Sequence, residues 1–175
     1  MIKLRKSTME DLSTIEKWVK NPEELMQWSG PAFQHPINHE QWKNYIEKED
    51  QLVFTVISKN SSTLVGHIAI GRIDWCRQKG RIGKVIVSPE ERGNGLGENI
   101  MKCVLNHAFR ELKLREISLG VFDFNISGIR LYEKVGFKKQ RLLMNHRRIG
   151  QETWNLYEMS MTSHNWVYQS RNVFD

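Results

Sequence analysis

The segment Ser88-Pro89-Glu90-Glu91-Arg92-Gly93-Asn94-Gly95-Leu96-Gly97 joins a β-rich run, Val85-Ile86-Val87, to a stretch of helical periodicity. Its composition suits anion binding. The first turn of a helix carries N–H groups without intrahelical partners and the positive end of the helix dipole. Glycines let a ligand approach the main chain and permit positive φ. Together these features cradle a phosphate or pyrophosphate, and Arg92 can add a charge-assisted hydrogen bond. The pattern is not a P-loop, because Gly-x-x-x-x-Gly-Lys-Ser/Thr is absent. A dinucleotide fingerprint would follow the first strand of a doubly wound sheet, whereas this turn follows an antiparallel series.

Few other residues invite chemistry. Cys76 and Cys103 belong to no metal-ligand pattern, and with the scattered histidines they give no reason to expect a metal or a disulfide framework. Net charge is +6, from 26 basic and 20 acidic residues, which suits an anionic partner. Arg141, Arg147, Arg148 and Trp154 allow a basic nucleic-acid-binding module as an alternative. No recognised nucleic-acid-binding motif supports it, and Arg147-Arg148 reads more simply as a solvated hairpin turn.

The elements that must position the glycine-rich turn are legible from periodicity. Ile2-Lys3-Leu4-Arg5 alternates as a strand, and Thr8 with Asp11 resembles a capping box opening a helix over residues 9–19. Pro22 closes that region. Residues 25–38 read as an aromatic, proline-interrupted loop in which Trp28 and Phe33 either anchor the loop to the core or line a pocket for an acceptor molecule. Asn38 caps a second helix through Trp42, Tyr45 and Ile46.

Residues 52–57, 64–73 and 81–87 form a three-stranded meander. Ile100, Met101, Val104, Leu105, Ala108, Phe109 and Leu112 then define an amphipathic helix, and residues 116–122 a strand that completes a parallel crossover. A short helix over 127–135 and strands near 140–145 and 153–161 follow. The fold class expected is α+β: a mixed central sheet of about six to seven strands with about four helices. One domain, residues 1–163, is expected, followed by a peripheral tail, 164–175. No apolar run approaches a membrane span and the N-terminus lacks a signal sequence, so a cytoplasmic protein without membrane contact, monomer or homodimer, is the expectation.

Arg92-x-x-Gly95-x-Gly97 after a strand resembles the acetyl-CoA-binding motif of the GNAT superfamily of N-acetyltransferases. Asn125-Ile126-Ser127-Gly128-Ile129-Arg130-Leu131-Tyr132-Glu133-Lys134-Val135-Gly136-Phe137 is similar to that family's Asn-x-x-x-x-x-Leu-Tyr-x-x-x-Gly-Phe signature. The resemblance covers roughly residues 2 to 161. It implies a sheet splayed between the strand ending at Val87 and the strand ending at Phe122, with the pantetheine of acetyl-CoA bonded near Ile86 and Val87. It implies a pyrophosphate on the amides of Arg92, Gly93, Asn94, Gly95, Leu96 and Gly97, a cofactor contact from Asn125, and Tyr132 as proton donor to the departing thiolate. A competing reading makes Tyr132 a packing residue: if Gly136 ends the helix in the left-handed conformation, Tyr132 and Phe137 touch in a Schellman motif.

The acceptor implied is a primary amine, either a small molecule or a protein N-terminus; the Trp28-Ser29-Gly30-Pro31 loop and the overall length look like the RimJ/RimL-type group. The strand Gly83-Lys84-Val85-Ile86-Val87 lacks the glutamate that many members use as base. Glu90 and Glu91 read as solvated or as helix-dipole partners, and His67, Asp74 or a water chain could substitute. The missing glutamate also allows a CoA-binding regulator without catalysis.

Overall fold

The computed structural model describes residues 1–166. Strands β1 (Ile2–Lys6), β2 (Leu52–Ser58), β3 (Leu64–Asp74), β4 (Lys79–Val87), β5 (Glu116–Phe122), β6 (Lys138–Ile149) and β7 (Glu152–Thr162) form one mixed sheet in the order β1-β2-β3-β4-β5-β7-β6. The described chain divides into two compact units, Met1–Gly71 with Ile82–Ile100, and Arg72–Arg81 with the segment from Met101 onward.

In the first unit β1 pairs antiparallel with β2, and β2 with β3. The expected first helix is broken into a 3-10 turn (Met9–Asp11), one turn of α1 (Leu12–Ile15) and a second 3-10 turn (Glu16–Trp18). Its capping box is present, with the Thr8 N–H donating to Asp11 Oδ2 at 2.8 Å. Pro22 does not close this region. It opens α2 (Pro22–Ser29), where the Asn21 side chain accepts from the Glu24 N–H and proline occupies the first turn, a position whose N–H has no intrahelical partner anyway. Residues 25–29 of the expected loop are therefore α-helix, and Gly30–Ala32 continue as a 3-10 turn. Helix α3 (His39–Ile46) is capped by Asn38 as expected. Leu12, Ile15, Trp18, Phe33, Trp42 and Tyr45 belong to one buried cluster, which also takes in Val53 and Ala69.

In the second unit β4 pairs parallel with β5 over Lys79↔Glu116, Gly80↔Ile117 and Arg81↔Ser118. The crossover is α4 (Leu96–Asn106), which ends in a π-helical turn, His107–Glu111. Helix α5 (Ile126–Lys134) follows β5, and β7 pairs antiparallel with both β5 and β6. Arg147 and Arg148 are not in the hairpin turn; they pair with Trp154 and Thr153 inside the β6–β7 ladder. Of the expected tail, Trp166 is only 8% exposed and packs against Phe109 at 6.4 Å, whereas residues 167–175 lie outside the described residues. Among the described residues no helix is long and apolar enough to cross a membrane, and no cluster of candidate metal ligands occurs.

Candidate active site

The glycine-rich turn has the geometry expected of an anion cradle. Gly93 and Gly95 take φ of +81° and +74°, both are exposed, and a side chain added at either would meet nothing within 4 Å. Helix α4 starts immediately afterwards at Leu96, and Asn99 N donates to Gly95 O at 3.3 Å. The N–H groups of Leu96 and Gly97 precede that bond and are not used within the helix, as in any first turn. A pyrophosphate fits this combination of accessible main chain and positive dipole end. Arg92 is partly committed elsewhere: its Nε donates to Val87 O at 3.2 Å. From Gly83 to Val87 every residue of β4 is half-buried, without the alternation of a strand covered on one face.

Lys84 interrupts that strand with φ +53°, a conformation a lysine adopts only under constraint. Its ammonium sits 5.0 Å from the centroid of the Tyr45 ring. Below lies an aromatic cluster: Trp28 stacks on Phe33 at 5.8 Å, Phe33 meets Tyr45 edge-on at 5.0 Å, and Trp42 contacts Tyr45 at 5.3 Å. Phe33 is 6% exposed and is a core residue; Trp28 is half-buried and packs against that core. His67 is fully buried in the same cluster, its Nε2 3.0 Å from the Tyr45 hydroxyl. Burial, then the positive charge of Lys84, pushes its pKa down to about 3, against a small opposing pull from Asp11. An imidazole so weakly basic cannot take a proton from an alkylammonium near ~10. Its Nδ1 and the Trp28 Nε1 are buried without a hydrogen-bond partner among the described residues.

In the second unit α5 carries the other motif. Gly136 has φ +104°, Phe137 N donates to Tyr132 O at 2.9 Å, and Gly136 N to Glu133 O at 3.0 Å. Those are the two bonds of a Schellman motif, and the Tyr132 and Phe137 rings meet edge-on at 6.2 Å. Tyr132 therefore does close the helix end. Burial pushes its hydroxyl pKa up to about 12. Asn125 caps α5, its Oδ1 accepting from Gly128 N at 3.0 Å and from Ser127 Oγ at 3.2 Å. Asp74 is likewise occupied, accepting from the Arg77 N–H at 2.9 Å in the β3–β4 turn.

Two charged residues of β4 escape sequence reasoning. Lys84 carries no signal of its positive φ, because only glycine or asparagine advertises one. Arg81 is half-buried against Ser118, Gly120 and Glu158, partners too distant in sequence to be paired by inspection.

A turn of this geometry between a β4 strand and a helix, in a sheet of this order, defines an acetyltransferase of the GNAT type. The model of the acetyltransferase (GNAT) family matches residues 22–137, and the chain belongs to that family. It is an acetyl-CoA-dependent N-acetyltransferase. Among curated relatives, a probable N-acetyltransferase of Bacillus subtilis is 26% identical over 62% of this chain and 60% of its own length, so this match leaves a sizeable part of that relative uncovered. Spermidine N(1)-acetyltransferase of Escherichia coli is 22% identical over 97% of this chain and 90% of that protein. Among solved structures, spermidine N-acetyltransferase of Vibrio cholerae, in complex with CoA and spermine, superposes with a TM-score of 0.82 at 22% identity, covering 95% of this chain and 98% of that one.

Proposed function

We propose that the chain transfers the acetyl group of acetyl-CoA directly to the primary amine of a small molecule. In this reading the pyrophosphate rests on the amides of Arg92 to Gly97, the pantetheine bonds the main chain of Ile86 and Val87, and Asn125 contributes a further contact. The observation that carries it is the pair of exposed, positive-φ glycines, Gly93 and Gly95, directly before the first turn of α4. The spermidine and spermine acetyltransferases among the relatives support a small-molecule acceptor. The RimJ/RimL-like reading, with a protein N-terminus as acceptor, rests on the Trp28-Ser29-Gly30-Pro31 segment and the overall length.

The amine must lose a proton before its lone pair attacks the thioester carbon. No carboxylate lies on β4 between Lys79 and Val87, and His67 is too weak a base, so the proton leaves through water to bulk solvent. The tetrahedral oxyanion takes a hydrogen bond from a main-chain N–H near Val87. Its collapse breaks the C–S bond. The Tyr132 hydroxyl, near 12, remains protonated at every physiological pH, and it is a far weaker acid than a thiol of about 8.5. Tyr132 therefore serves the thiolate as a hydrogen-bond donor, and solvent completes protonation. Trp28, braced by Phe33, forms a wall of the acceptor site. The test is thiol release from acetyl-CoA over a panel of amines, alongside calorimetric titration with CoA. Binding of CoA without thiol release on any amine would indicate a regulator, and failure to bind CoA would remove the site altogether.

A further inference from the structure

Strands β3 and β4 are neighbours joined by four residues, a connection too short for a parallel pair. Ser88 N donates to Val65 O at 2.9 Å, so two residues along this antiparallel ladder His67 stands opposite Ile86. A Cβ built on Gly66 would lie 3.0 Å from Ile86 O, in keeping with that register. Ile86 packs against the buried cluster that contains Phe33, Trp42, Tyr45 and Ala69. His67 meets Trp42 and Tyr45 in the same cluster, with ring centroids 5.3 and 5.8 Å apart. One face of the sheet therefore carries both His67 and Ile86.

Lys84 is two residues before Ile86, about 7 Å along a strand. Its ammonium is 5.0 Å from the Tyr45 ring centroid, and the Tyr45 hydroxyl is 3.0 Å from His67 Nε2. The side chain thus lies over the cluster that flanks Ile86. Its φ of +53° is a costly conformation for lysine, of the kind that surroundings impose at working sites. All of these residues belong to the first compact unit. The charge is felt there: after burial, Lys84 is the main influence lowering the pKa of His67. Asp11 pulls the other way and is itself held by Arg5. Burial keeps Tyr45 of α3 neutral by pushing its hydroxyl well above its ordinary 10. Glu23 and Glu24 on α2, and Glu40 and Lys43 on α3, are exposed.

An amine that attacks a thioester held at Ile86 and Val87 must bring its nitrogen within about 3–3.5 Å of the carbonyl carbon. It then lies beside Ile86, in the field that already acts on His67. A like charge about 7 Å away disfavours an ammonium by about one to two pH units in part-buried surroundings.

We propose that the Lys84 ammonium repels the protonated form of the bound acceptor, so that the amine reaches the thioester neutral without a protein base. The inference rests on the acetyl transfer proposed above. The ammonium loses its proton to water, its lone pair forms the N–C bond, and the C–S bond breaks with CoA leaving as thiolate. The test measures kcat and KM between pH 6 and pH 10 for ethanolamine, propylamine and spermidine. The kcat limb, which reports the bound amine, is expected about one pH unit or more below the pKa of the free amine. In Lys84→Met that limb should rise by about one unit. At pH 7 kcat and KM should both fall about tenfold and leave kcat/KM nearly unchanged, the signature of a ground-state repulsion removed. Lys84→Arg should keep the wild-type limb, and CoA affinity by calorimetry should hold within about twofold in both variants. A wild-type kcat limb at the free amine's pKa overturns the proposal while leaving the acetyltransferase standing. So does an unchanged limb in Lys84→Met, or a loss of kcat equal at every pH. Should Lys84→Met fail to fold, Lys84→Asn reads the same shift with a side chain that tolerates positive φ. CoA binding with none of the three amines acetylated overturns this inference and the transfer, but not the CoA site.

Discussion

At Gly95 the main chain has φ +74° and open space where a side chain would stand, so a substitution there changes conformational cost and charge before it changes packing. Gly95→Ala isolates the conformational part, about 1 kcal/mol. Gly95→Asp adds a carboxylate against the pyrophosphate, and CoA affinity is expected to fall at least about 100-fold, near 3 kcal/mol, by calorimetry. An affinity within a few-fold of wild type would remove the turn as the diphosphate site. Tyr132 poses the complementary question, since its ring already explains its presence at the end of α5. Tyr132→Phe retains that packing and deletes only the hydroxyl. Turnover should fall about 10- to 100-fold with CoA affinity held within twofold; unchanged turnover would reduce Tyr132 to helix-end packing.

The N-terminal helical segment shows how one carboxylate can organise an element. Asp11 caps it through the Thr8 N–H, accepts two bonds from Arg5 on β1 at 2.7 and 3.0 Å, and one from Thr55 on β2 at 2.8 Å. Asp11→Asn leaves the part-exposed Arg5 guanidinium without its charge partner, and urea unfolding should show a loss of about 1–2 kcal/mol. A change below about 0.5 kcal/mol would mean that the network is ornamental. That cap was legible, because Thr8 and Asp11 are local to each other, and so were β5, α3 and the crossover helix up to its π-helical last turn. The start of α2 was not: Pro22 was read as a stop, although at a first-turn position proline is a start signal. The positive φ of Lys84 and the Arg81–Glu158 contact were illegible for a different reason. Each depends on tertiary neighbours, and neither residue type announces its conformation or its partner in sequence. The turn itself was readable because glycine spacing and helix onset are local properties.

For the molecule as a whole, acid should act on the first unit through two buried groups. His67 binds its proton at about 3 when folded and near 6.5 when unfolded. Its contribution is thus complete above pH 6.5 and is lost as pH falls toward 3, because the unfolded chain takes up the proton first. Asp11 is opposed by burial but held below its ordinary 3.8 by bonds from Arg5, Thr8 and Thr55, so its share is lost only below about pH 3.8. Stability should therefore fall in two stages, the first with a slope approaching 1.4 kcal/mol per pH unit. His146, which burial and Arg147 also push down, adds a smaller limb of the same sign in the second unit. Replacing His67 with glutamine keeps a polar partner for the Tyr45 hydroxyl and removes the titration. Urea unfolding between pH 7 and pH 4 should then be nearly flat for His67→Gln, apart from the His146 limb, while the wild type declines steeply. Equal slopes would mean that His67 is solvated and protonated in the folded chain, which would reopen it as the base that the acetyl transfer otherwise lacks.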